Sequence, residues 1–88
     1  MRDTSYATEL ARAVIDFESG SEGRIERLLF KEDSQEGIRF SWWREKRMIP
    51  RPLDLTEEEL LALFRNALQK GVFSEDFLLK LRAMLYSR

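Results

Sequence analysis

Between residues 4 and 18 the large apolar positions are Tyr6, Leu10, Val14 and Phe17, with Ala7 and Ala11 beside them. That three-to-four-residue spacing predicts an amphipathic helix with one face on the core. Gly20 then reads as its stop. In the next segment, EGRIERLLFK at 22–31, Ile25, Leu28 and Leu29 fit a short helix that Ser21 caps. Gly23 speaks against a helix, and a strand ending in LLF is the alternative. The run EDSQEG at 32–37 is rich in turn formers and predicts a turn.

From residue 38 the period changes from the helical one to two. IRFSW alternates apolar and polar, REKR turns, and MIPRPLDL returns, which predicts a β-hairpin over 38–55. A turn centred on Glu45–Lys46 sets Trp43 opposite Met48, Trp42 opposite Ile49, Phe40 opposite Arg51 and Ile38 opposite Leu53. Successive strand residues point to opposite faces, so Trp42 and Trp43 part company. Ile38, Phe40, Trp42, Ile49 and Leu53 then form the face expected to pack on helices. Arg39, Ser41, Trp43, Met48, Pro50 and Pro52 form the outward one. Pro50 and Pro52 remove two donors from one strand edge, which predicts an edge strand closed to further pairing.

The C-terminal third follows helix grammar. Thr56 with Glu59 three residues on is a capping box, and Leu55 and Leu60 are spaced as a hydrophobic staple across it. The helix continues through Leu63, Phe64, Ala67 and Leu68 to Lys70, where Gly71 ends it. Ser74 caps a second helix, Phe73 and Leu78 staple it, and Phe77, Leu81, Met84 and Leu85 are expected to form its buried stripe. The fold class expected is therefore α+β in a single domain over 1–88. Its elements are an N-terminal helix, a short helix or strand, a two-stranded antiparallel hairpin, and two capped antiparallel C-terminal helices.

Composition narrows the function classes. Of the 88 residues 43% are hydrophobic and 11% aromatic, a globular balance. With neither cysteine nor histidine, the chain has no thiol or imidazole nucleophile, base or zinc ligand. No P-loop or EF-hand spacing is present. Glu57, Glu58, Glu59, Glu75 and Asp76 lie in first turns of helices, where the helix dipole accounts for them. These observations predict a non-enzyme with no catalytic residues, cofactor, metal or small-molecule substrate. The longest apolar run, LLALF at 60–64, is far short of a membrane span, and the start MRDTSYATEL has no secretory h-region. A cytoplasmic protein without membrane contact is expected.

Net charge is −1 but uneven. Residues 38–53 carry Arg39, Arg44, Lys46, Arg47 and Arg51 against Glu45 alone, while the segments on both sides are acidic. Trp, Met and Arg are enriched at protein interfaces. Arg39, Trp43, Arg44, Lys46, Arg47 and Met48 are therefore the candidate interaction residues, for a protein partner or for self-association as a homodimer. The purely structural alternative is that Trp43 is covered, or stacked under an arginine. Nucleic acid is the rival partner, since aromatics among basic residues stack bases and hold phosphates. The acidic remainder disfavours it. A helix-turn-helix reading of the last two helices fails because Ser74, Glu75 and Asp76 would meet the phosphates.

Overall fold

In the computed structural model, which describes residues 3–87, the chain runs through four strands and then two helices. The strands are β1 (Ala7–Asp16), β2 (Ser21–Phe30), β3 (Glu36–Arg44) and β4 (Arg47–Ile49); the helices are α1 (Glu57–Gln69) and α2 (Glu75–Tyr86). The strands form one antiparallel sheet in the order β1-β2-β3-β4. The expected class, α+β, holds, but the expected arrangement does not. No N-terminal helix exists, and 21–30 is a strand. Met1, Arg2 and Arg88 lie outside the described residues.

The N-terminal correction has a physical reason. β1 pairs with β2 along its whole length, with a register shift between Glu9 and Ala11. A shift of this kind changes which face the following residues occupy, so a strand containing it loses its period-two signature. The helical spacing of Tyr6, Leu10 and Val14 is what remains legible. Gly20 is a turn residue rather than a helix stop. Gly20 N–H donates to Phe17 O at 3.1 Å, Phe17 N–H donates to Ser21 O at 2.9 Å, and Gly20 takes φ +84°. That is the left-handed position of a three-residue hairpin loop.

One sheet face carries α1, which lies over β1 and β2. The core there consists of Ala13, Ile25, Leu63, Ala67 and Val72, with Ala11, Ile15, Leu53, Leu55, Phe64 and Phe73 packed against it. Gly23 belongs to this close packing. A Cβ at that position would stand 3.1 Å from the Phe17 ring and 3.3 Å from Leu53 Cδ1. The glycine that weakens a helix is thus what lets Phe17 and Leu53 approach β2.

The hairpin register is the expected one: Trp42 pairs with Ile49, Trp43 with Met48 and Arg44 with Arg47. Glu45 and Lys46 both take positive φ, 50° and 66°, as a two-residue type I′ turn requires. β4 ends at Ile49, however, and the chain bends at Pro50 and Arg51. The prolines therefore stop the strand instead of guarding its edge. The Phe40–Arg51 and Ile38–Leu53 pairs do not form, and Leu53 crosses to the core. Phe40 and Ile38 stay 47% and 41% exposed on the helix-bearing face, beyond the reach of α1.

α1 starts as expected: the Thr56 side chain accepts from Glu59 N–H, and Glu59 answers to Thr56 N–H. The Ser74 cap of α2 also forms, accepting from Phe77 N–H at 3.2 Å. The expected antiparallel packing of the two helices is absent. No Cα of α2 comes within 8 Å of α1 or of the sheet. The anticipated buried stripe of α2 does not form: Phe77, Met84 and Leu85 are exposed, Leu81 is half-buried, and no residue of that helix is fully buried.

Two polar contacts fix the helical end to the sheet. Asn66 Oδ1 on α1 accepts from Val14 N–H at 2.8 Å, which satisfies an outward donor of the edge strand β1. Arg27 Nη1 donates to Val72 O at 3.1 Å and holds the α1–α2 connection against β2. Removing the first should leave the Val14 donor unpaired at about 1–2 kcal/mol. We expect Asn66→Ala to lower stability by that amount in urea melts and to release the Val14 amide to faster hydrogen exchange. Unchanged exchange there would show that this bond does not hold α1 on the edge.

Candidate functional site

Of the expected interaction residues, Trp43 takes the structural alternative, covered and stacked under an arginine. It is 5% exposed and lies on the face opposite α1. The Arg24 guanidinium stacks over its ring at 4.0 Å, and its Nε1 donates to Ser41 Oγ at 2.7 Å. The indole therefore cannot serve as an exposed anchor. The outward face of the hairpin is not an aromatic patch, because register pairs Arg24 with Ser41 and Glu22 with Trp43, which brings the arginine on β2 beside the ring.

Arg39 is also withdrawn from solvent. It donates twice to Glu26 Oε1, at 3.1 and 2.8 Å, and to Tyr6 Oη at 2.7 Å. Ser41 Oγ donates to the same Glu26 oxygen at 3.2 Å. Neighbouring pairs extend the network: Arg12 grips Glu9 with two bonds of 2.9 Å, and Arg24 pairs with Glu22. Charges of alternating sign thus tile this face of β1, β2 and β3. Glu26 is fully buried within it.

Burial raises the pKa of Glu26 above the ordinary 4.5, the hydrogen bond with Glu9 raises it further, and Arg39 pulls the other way. A carboxyl whose folded pKa lies above its unfolded one favours the folded state most in acid. That contribution fades as pH climbs through the folded value. Burial thus penalises the charged form of Glu26, and the bonds from Arg39 and Ser41 offset part of that penalty. The carboxylates of this face are held in ion pairs and bonds to neighbouring side chains. Among the described residues no group of three or more acidic side chains stands together as a metal site.

The remaining expected residues do converge. Arg44, Lys46 and Arg47 are exposed at the tip of the β3–β4 hairpin, with Arg44 and Arg47 opposite one another. None of them joins an ion pair among the described residues. Met48 is 38% exposed next to them. Trp42, expected in the core, is half-buried, and its Nε1 has no acceptor among the described residues.

Most of the exposed large apolar side chains lie elsewhere, on the two helices. On α1, Leu61 and Leu68 are 66% and 53% exposed; on α2, Leu79, Met84, Leu85 and Tyr86 are between 64% and 78% exposed. Between the two helices Phe73 bridges by ring contacts to Phe64 at 5.2 Å and Phe77 at 5.0 Å. This leaves a groove of about 270 Å³ walled by Leu68, Leu78, Leu81 and Leu85. Single exposed apolar residues are ordinary, whereas an apolar groove walled by both helices is the kind of surface that marks a contact. The sequence contained the signal. α2 has eight apolar residues out of twelve, spread over more than one face, which is the pattern of a helix covered on several sides.

No family model, curated protein or solved structure matches this chain. Among the described residues no helix is long and apolar enough to cross a membrane.

The burial of Trp43 changes what its removal should do. Truncating a buried indole costs about 3–5 kcal/mol. We expect Trp43→Ala to lose stability on that scale in denaturant melts, with a sheet disturbed around Arg24. A loss below about 0.5 kcal/mol, the range of surface substitutions, would contradict the placement of the ring.

Proposed function

We propose that this chain is a small, non-catalytic protein-interaction domain of the cytoplasm, whose contact surface is the apolar side of α1 and α2. The observation that carries the reading is the exposure of six large apolar side chains on two capped helices. A 12-residue helix is marginal in water unless tertiary packing supports it. From the described residues of its own chain α2 receives little: the Phe73–Phe77 ring contact and the side of the groove that leaves Leu78 and Leu81 half-buried. The absence of histidine and cysteine and the locked carboxylates of the sheet support a binding role over a catalytic one. The hairpin face built around Trp43, the surface expected from sequence, loses its aromatic anchor to the protein's own interior.

A second reading rests on the hairpin tip. Arg44, Lys46 and Arg47 stand exposed without a carboxylate partner among the described residues. Such a tip suits a phosphate backbone, although neither Trp42 nor Trp43 is presented there as a freely exposed ring.

Two experiments bear on these readings. A photo-crosslinking amino acid at Leu79, irradiated in the cells that make the protein, should give one discrete adduct, and the same group at Lys31 should give none. A smear of adducts, or equal labelling at both positions, would remove the support for a specific helical surface. For the hairpin tip, the triple change Arg44→Glu, Lys46→Glu and Arg47→Glu should abolish binding to labelled DNA and RNA at low salt. If the unaltered chain binds neither single- nor double-stranded forms, the second reading is finished.

A further inference from the structure

The occupant of the helical surface follows from its size and its permanence. The chain exposes 6849 Å² of surface. A compact monomer of 10.5 kDa exposes about 5,400 Å². Chain ends account for part of the excess in any small domain. The whole excess is about 1,400 Å², against about 800 Å² per partner in a standard protein interface. The radius of gyration agrees: it is 13.9 Å, against about 12 Å for a compact domain of this length.

The need for cover is also constant. α2 is apolar on most of its circumference, with charged residues confined to Glu75, Asp76, Lys80 and Arg82. Asp76 and Lys80 pair with each other at 3.0 Å. A helix of this composition left bare between encounters with a partner would be a standing aggregation site. The partner that is present whenever the chain is present, and in equal amount, is another copy of the chain. Rotation about a two-fold axis is the commonest way for such copies to meet.

Resting on the interaction reading above, we infer that the protein is a homodimer in which α2 and the exposed stripe of α1 pack against the same elements of a second copy. The charges on α2 suit this partner. Antiparallel docking sets the acidic first turn, Glu75 and Asp76, beside the partner half of the helix that carries Arg82. Leu78 and Leu85, seven residues apart on one side of α2, lie in the contact with Leu79 on its flank, while Met84 projects from another side of the helix. A net charge of −1 puts little repulsion in the way.

The test is the mass of the full chain in solution. Light scattering after size exclusion, from about 1 to 200 µM, should give twice the chain mass, with dissociation confined to the dilute end. Leu79→Glu and, separately, Leu85→Glu should each shift the midpoint by at least tenfold towards monomer. Both should leave the amide spectrum of the four strands in place, since α2 approaches no strand. Hydrogen exchange on the unaltered protein guards against a folding defect: the α2 amides should gain protection as concentration rises. A monomer throughout, or a larger closed assembly, overturns the inference.

The apolar dye anilinonaphthalenesulfonate separates that failure from failure of the interaction reading. A monomer that binds the dye, and loses it on Leu79→Glu, overturns the second copy and keeps the surface for a different protein. A monomer that binds no dye overturns both.

Discussion

α1 can rest on this sheet because the residues where the two meet are small. Ala11 and Ala13 on β1 and Ala67 on the underside of the helix let the layers approach, and Leu63 and Ile25 fill the space left. The close approach fixes the rest of the geometry. It brings Asn66 within hydrogen-bonding distance of the β1 backbone, and Arg27 within reach of the carbonyl that follows the helix. It also keeps the core small: of its five fully buried members two are alanines and one is valine. Burial of apolar area is the main favourable term in folding, at about 25 cal/mol per Å². A core of alanines supplies little of it, so the chain's larger side chains must find cover elsewhere.

The face opposite α1 meets the same shortage by different means. No helix covers it, so it cannot be a conventional apolar layer. Arg24 sits over the Trp43 ring, Arg39 and Ser41 close over Glu26, and Leu28 and Ala7 are buried on the same face. Long charged side chains can cover apolar surface with their stems while their heads pair at the edge. The aromatic ring that looks like a docking site in the sequence is instead the floor of that cover.

What was legible in the sequence follows the range of each signal. Helix caps are local: Thr56, Glu59 and Ser74 determine α1 and α2 within four residues, and both helices begin where the caps place them. The tip of the hairpin is equally local, since a two-residue turn sets the register of Trp43 against Met48. The first thirty residues carry a conflict that local reading cannot resolve. Alanine-rich spacing favours a helix in isolation, whereas pairing along ten residues of β2 overrides it. The alternation Glu22, Arg24, Glu26 was the available counter-signal. Opposite charges every second residue share a single face of a strand, whereas on a helix Glu22 and Glu26 would stack as like charges with Arg24 on the other side.

The burial of Trp43 and the exposure of α2 share one origin. Period and composition tell which side of an element is apolar, but what meets that side depends on elements distant in sequence. Arg24 covers Trp43 from 19 positions away, along a register set by the β2–β3 pairing. In α2 the apolar stripe is real and so is its cap, yet the chain turns at Gly71 and Val72 and carries the helix clear of α1. Val72 is fully buried and Arg27 binds its carbonyl, so the turn is held in place by the sheet. The contacts that complete the core are therefore also the ones that point α2 away from it. An apolar helix directed outward by buried contacts is a built feature of the fold, and it is why the protein's unfinished surface lies at its C-terminal end.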